Sequence, residues 1–195
     1  MISKIASKVV GKLIDDSVVA ATEQELYVYG FFILISQILY FTLTMIFGVL
    51  LGIVLESVIF YVAFQFIRRY AGGFHASSEM KCTLITTTSI FLCLLCTKLC
   101  ETNNIQKPIL VLTSIATVFI FVFCPLDTPE KPLTKEECKY FRKISWVILL
   151  LIMLTICIGW YFKLEFLIYP CCMGLILESI LLVLGKIKRL VKNNG

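Results

Sequence analysis

The sequence predicts an all-α integral membrane protein, on three observations. Hydrophobic residues fill 59% of the 195 positions and charged residues only 16%, against roughly 25% charged in an ordinary soluble domain. The apolar residues gather into six long stretches separated by short polar breaks. Lysine and arginine collect at alternate breaks, as they do when one set of loops is cytoplasmic. Six spans of ~20 residues with their connections use up the chain and leave no room for a sizeable soluble domain.

The elements follow in order. In residues 1–26, Ile2, Ile5, Ala6, Val9, Leu13 and Ile14 recur at helical spacing, while Lys4, Lys8 and Lys12 repeat on another face. This pattern describes a basic amphipathic helix at the lipid headgroups. Lys8, Lys12, Asp15 and Asp16 interrupt the unbroken apolar core that a cleaved signal needs, so the segment is expected to be retained, as an anchor or as a partner-binding element. A single membrane domain, 27–185, comes next. Its candidate spans run from about Tyr27 to Leu51, Ile53 to Ile67, Cys82 to Leu99, Pro108 to Pro125, Ile144 to Phe162 and Leu164 to Gly185. The break at Gly52 to Glu56 is weak, so a long tilted helix followed by a short re-entrant segment is the alternative to two separate spans.

Charge tests this division. With the amino terminus cytoplasmic, fifteen of the 18 basic residues fall on the inner side and only Lys98, Lys107 and Lys163 on the outer. That bias places both chain ends, the 68–82 segment and the 126–143 loop in the cytoplasm. In that loop, Thr134 with Glu137 three residues on is a capping-box pattern, read as the start of a short surface helix. Residues 186–195 form a basic tail that suits anionic lipid. Nothing in the sequence supports nucleic-acid binding.

Functional chemistry is sought in 68–82, a polar, glycine-broken island between apolar stretches that holds the chain's one histidine, His75, seven residues before Cys82. A thiol and an imidazole are the two parts of a cysteine nucleophile. Ser77 or Ser78 can cap the third span and Glu79 suits its first turn, which puts Cys82 about one turn into the helix, where the dipole and an imidazolium favour a thiolate. In one continuous helix the two residues would stand ~10.5 Å apart along the axis, too far for sulfur to meet ring. Gly72 and Gly73 supply the break that lets the chain fold back. A histidine at this depth also serves as an ordinary headgroup-level residue, and the residues alone leave both readings open.

The other cysteines are read differently. Cys93, Cys96, Cys100, Cys124, Cys157, Cys171 and Cys172 lie within or at the edges of apolar spans, where cysteine acts as a small hydrophobe. With one histidine in the chain, no Cys/His metal spacing can be assembled, so neither metal nor cofactor is expected. Cys138, in the 126–143 loop, is a distant second nucleophile. Glu178, inside the sixth span, is expected to face protein or a water-filled cavity, packed against a polar group such as Gln37 or Gln65. Such a carboxylate also fits a small-solute or peptide exporter, and a non-catalytic membrane scaffold is a third class.

The stretch Arg68 to Cys82, with an arginine, then Gly-Gly-x-His, then a cysteine seven beyond the histidine, resembles the signature of the accessory gene regulator B (AgrB) family of Gram-positive bacteria. These are integral-membrane cysteine endopeptidases that process quorum-sensing propeptides. The likeness extends over the chain, to its amphipathic start, the number of spans and the proline-rich stretch from Cys124 to Leu133. It implies Cys82 as nucleophile and His75 as general base, with Arg68 and Gly73 at the motif's arginine and glycine and Arg69 as an adjacent alternative, all three being expected substrate-binding positions. Glu79, Gln65 or a backbone carbonyl are candidates to orient the histidine. The implied partners are a short amphipathic propeptide with an acidic tail, the lipid bilayer and a second copy of the chain in a homodimer. The implied reaction cleaves off the tail through a thioester acyl-enzyme, from which the peptide closes to a thiolactone or lactone. The expected grip of Arg68 or Arg69 on a carboxylate is bidentate.

Overall fold

A computed structural model describes residues 2–74, 78–126 and 134–193. Among the described residues there are seven α-helices: α1 (Ile2–Asp15), α2 (Gln24–Leu51), α3 (Val54–Ala71), α4 (Glu79–Thr102), α5 (Gln106–Phe123), α6 (Lys135–Phe162) and α7 (Glu165–Asn193). The protein is an all-α membrane protein. Five of the helices, α2, α4, α5, α6 and α7, are long and apolar enough to cross a bilayer. The second expected span, α3, falls short of that measure because its 18 residues include Glu56, Arg68 and Arg69. It buries one face instead, through Ser57, Phe60, Ala63, Phe64, Ile67 and Ala71.

The weak break after the first span is a tight turn that joins α2 to α3. Gly52 ends α2 in a left-handed conformation, φ 67° and ψ 31°, and its N–H returns to Gly48 and Val49 carbonyls, the usual way a glycine stops a helix. Beyond it α3 lies so close to α2 that a Cβ built on Gly48 would stand 2.5 Å from Ser57 Oγ. Gly48→Leu is therefore expected to force the two helices apart and to lower the melting temperature of the detergent-solubilised protein, whereas Gly30→Leu, where a built Cβ meets nothing within 4 Å, is expected to leave it nearly unchanged.

Helix α7 is the central post. In it 67% of the most apolar window is buried, against 17–28% in the other four spans, and α3, α4, α5 and α6 pack around it. One core cluster, including Ile67, Ile120, Ile156 and Leu175, joins α3, α5, α6 and α7, and a second, including Ile53, Phe60, Leu94 and Tyr169, lies toward α4. Four buried hydroxyls are satisfied inside their own helices: Thr44, Ser57, Thr97 and Thr113 each donate to the carbonyl four residues back, a common solution in an apolar surround, whereas the Ser145 and Tyr169 hydroxyls have no hydrogen-bond partner among the described residues.

Two expected boundaries move. The capping box at Thr134 is present, with Glu137 N–H donating to Thr134 Oγ1 at 3.2 Å and Thr134 N–H to the Glu137 carboxylate at 2.9 Å. It opens no short surface helix, however. From Lys135 to Ile158 there is neither glycine nor proline, so the helix runs unbroken into the span. The basic tail is likewise the end of α7, which continues to Asn193.

The amphipathic start is helix α1, and it packs on α2. Ile2, Ala6 and Val10 are buried, so part of its apolar face meets the protein, while Ile5 and Val9 stay exposed beside the lysines. The α3 end, the α4 start, Leu126 just after α5 and the α7 end share one end of the bundle. Ser3 reaches Glu79, Gly72 bridges Leu126, and the Lys188 ammonium stands 5.4 Å from the centre of the Phe74 ring. At the other end Glu101 lies within electrostatic reach of Glu56, Glu165 and Lys98.

Candidate active site

Local signals set the start of α4. Ser78 is extended, φ −140° and ψ 150°, and its side chain accepts the Lys81 N–H, which satisfies one of the unpaired donors at a helix start. Cys82 follows one turn in, half-buried, its own N–H donating to Ser78 O at 3.0 Å. It lines a cleft of about 390 Å³ between α2, α3, α4 and α7. The walls are mixed. Phe32, Ile33, Tyr40 and Phe64 are largely apolar, and Ser36, Gln37, Gln65, Thr83, Thr86 and Ser89 offer hydrogen-bonding groups. Helix α1 closes one rim with Ile2 and is fastened there by Ser3, whose N–H and Oγ donate to the two Glu79 carboxylate oxygens at 2.9 and 3.0 Å.

Arg68, on the last turns of α3, also lines the cleft. Its guanidinium donates from Nη1 to Gly72 O at 2.8 Å and from Nη2 to Phe74 O at 2.6 Å. The residue expected to grip a substrate carboxylate thus spends two donors on its own backbone. Arg69 is not among the residues that line the cleft; its guanidinium carbon stands 6.0 Å from the centre of the Tyr70 ring. Gly73 lies under Arg68, where a Cβ would run into Nη1.

The expected break in the chain falls where the glycines are. Gly72 has φ 78° and ψ −150°, a region essentially reserved for glycine, and Gly73 has φ 135°. A Cβ on Gly72 would stand 2.6 Å from Leu126 O, and Leu126 N–H donates to Ala71 O at 2.8 Å, so the loop after α5 is laced to the end of α3. Phe74 N–H donates to Leu181 O on α7 at 2.9 Å. Gly185 makes that approach possible, since a Cβ there would lie 2.9 Å from Phe74 N and 3.0 Å from Gly73 C. His75, the expected general base, and Ser77, one of two expected caps, lie outside the described residues. Phe74 and Ser78, on either side of them in sequence, both line the cleft with Cys82.

Some of the site was not anticipated. Glu178 is fully buried on α7 and pairs with Arg68, Nη1 to Oε2 3.8 Å, while its carboxylate makes no hydrogen bond to Gln37 or Gln65. Both glutamines line the cleft. The charge inside an apolar span marked Glu178 as unusual, but its partner stands on another helix far away in sequence, where periodicity gives no signal. Cys138, on the first turn of α6, is not among the cleft residues. Cys124 just after α5 is buried, which raises its thiol pKa and suits a structural cysteine.

Fold and site together define a polytopic helical membrane protein with a cysteine on the wall of a half-polar cleft. The chain belongs to the accessory gene regulator B family, whose model matches residues 2–182. It is similar to a "Putative AgrB-like protein 2" of Clostridium perfringens strain 13, 30% identical over 154 residues that cover 74% of this chain and 69% of the relative. Another relative, the "Putative AgrB-like protein" of Clostridium perfringens strain SM101, is 32% identical over 132 residues, 65% of this chain and 62% of its own. One from Listeria innocua is 30% identical over 111 residues, 56% and 52%. The matched segments thus span about half to two thirds of these relatives' length. No solved structure matches the chain.

Proposed function

We propose that this chain is a membrane cysteine endopeptidase that removes the carboxy-terminal tail of an autoinducer propeptide and leaves the remainder able to close into a ring. Cys82 is the nucleophile and His75 the general base. One observation carries this reading: Cys82 stands one turn into α4 on the cleft wall, and Phe74 and Ser78, which flank the histidine segment, open onto the same cleft.

In the first step the Cys82 sulfur bonds to the scissile carbonyl carbon and its proton passes to the His75 imidazole. The C–N bond then breaks, that proton goes to the leaving amine, and the tail departs from a thioester. A cysteine thiol or serine hydroxyl within the held peptide next attacks the thioester carbonyl and closes a thiolactone or lactone, returning the proton to the Cys82 sulfur as it leaves. Ring closure competes with hydrolysis, so the apolar walls at Phe32, Ile33, Tyr40 and Phe64 serve the reaction by limiting water. The active site and both chain ends face the cytoplasm, in keeping with fifteen basic and nine acidic side chains assigned to that side. Their excess of positive charge draws in an acidic tail.

Detergent solution separates this reading from an exporter, because it has no compartments. The purified chain is expected to release the tail from a synthetic propeptide with an amphipathic leader, a central cysteine and an acidic tail, taken from the open reading frame beside its own. His75→Ala is expected to slow release at least about 100-fold. If no tail is released in detergent while reconstituted vesicles move the intact peptide, the exporter reading replaces this one.

A further inference from the structure

We infer that Glu178 is a positioning residue, whose carboxylate faces the Arg68 guanidinium and keeps it clamped on the carbonyls of Gly72 and Phe74, fixing the backbone that leads into His75. The inference rests on the assignment of His75 and Cys82 proposed above and adds to it a residue from a different helix.

The geometry runs as a chain of contacts from the core to the cleft. Glu178 has no exposed surface, and its two carboxylate oxygens have no hydrogen-bond partner among the described residues. Its one ion pair among them is with Arg68, at 3.8 Å, whose side chain is 18% exposed. A guanidinium stays charged in proteins and is costly to hold away from water without an opposite charge. The same Nη1 that faces Glu178 donates to Gly72 O at 2.8 Å, and Nη2 donates to Phe74 O at 2.6 Å.

Two further features hold the segment in place. Gly73 leaves the space that Nη1 occupies, and Gly185, two turns beyond Glu178 on α7, lets Gly73 and Phe74 lie against that helix. Phe74 N–H then donates to Leu181 O. Each of the three α7 positions, Glu178, Leu181 and Gly185, therefore meets the 68–74 segment, and Glu178 is the one that does so by charge. Without it the guanidinium has reason to turn outward into the cleft, releasing both carbonyls. The Cys82 thiol is left as it was, so the loss falls on proton transfer and not on substrate capture.

The test is a double-mutant cycle with Glu178→Gln and Arg68→Gln, read with the synthetic propeptide in detergent and by thermal melting. Glu178→Gln is expected to lower kcat about 10-fold or more with KM within about threefold, and to add less than about twofold when placed on Arg68→Gln. Wild-type kcat in Glu178→Gln, or two losses that multiply, would overturn the inference. Should Glu178→Gln fail to fold, the double variant decides: regained folding with the activity of Arg68→Gln alone supports the pair, and a double variant no more stable than Glu178→Gln overturns it. Cys82→Ala is run alongside. If it still cleaves, the protease reading fails, and the melting arm still decides whether Glu178 and Arg68 act as a pair, since an uncompensated buried cation in Glu178→Gln must lower the melting temperature more than the double substitution does.

Discussion

Cys82→Ala is expected to abolish release of the propeptide tail, by on the order of 10³-fold or more, while the protein is made and melts as the wild type does. The size of the effect follows from the chemistry. Without the sulfur there is no acyl-enzyme, and what remains is a cleft able to bind a peptide it cannot cut. The small effect on stability follows from the structure, because the side chain is half-buried on a cleft wall and its helix start is capped by Ser78 and not by Cys82. Quantifying shortened peptide against time, with melting of the same samples, checks both halves. The seven cysteines in or beside the spans are expected to tolerate alanine with activity retained.

Gly73→Ala is expected to cost at least about 100-fold in kcat/KM with Cys82 untouched. Two effects combine. The backbone there has φ 135°, where an L side chain is strained by about 1–3 kcal/mol, and the added Cβ occupies the place of Arg68 Nη1. Arginine is a flexible side chain and would ordinarily swing aside at little cost. Here it holds Gly72 O and Phe74 O and faces Glu178, so moving it undoes the turn that carries the chain from α3 toward His75. Gly30→Ala, in open space on α2, is the matched control and is expected to keep full activity. Tail release and melting of both variants, measured together, separate the glycine's conformational need from a general loss of helix packing.

Much of this architecture is legible in the sequence because its signals are local. The lysine repeat of α1, the serine cap of α4, the capping box at Thr134 and the glycine stop after Ala71 each depend on residues within a turn or two of one another. Where local reading fails, charge misleads it. Lys135 to Lys143 look like a surface helix, yet nothing breaks the backbone between them and the span.

What the sequence does not carry is the role of α7. The five helices long enough to cross a bilayer are all strongly apolar, so nothing marks this one as the post around which the others pack. Its three contacts with the 68–74 segment, at Glu178, Leu181 and Gly185, depend on a tertiary approach between distant helices. The arginine of the motif is accordingly easy to read as a hand for the substrate. Its two short bonds to backbone carbonyls make it first a brace for the loop.

The most direct measurement is the mass of the intact protein after it is mixed with propeptide and quenched in acid. A covalent thioester predicts an increment equal to the leader plus the ring segment, without the tail, located on Cys82 by digestion and removed by hydroxylamine. Tail release with no such increment, or an increment on any other cysteine, would contradict the assignment of Cys82 as the nucleophile.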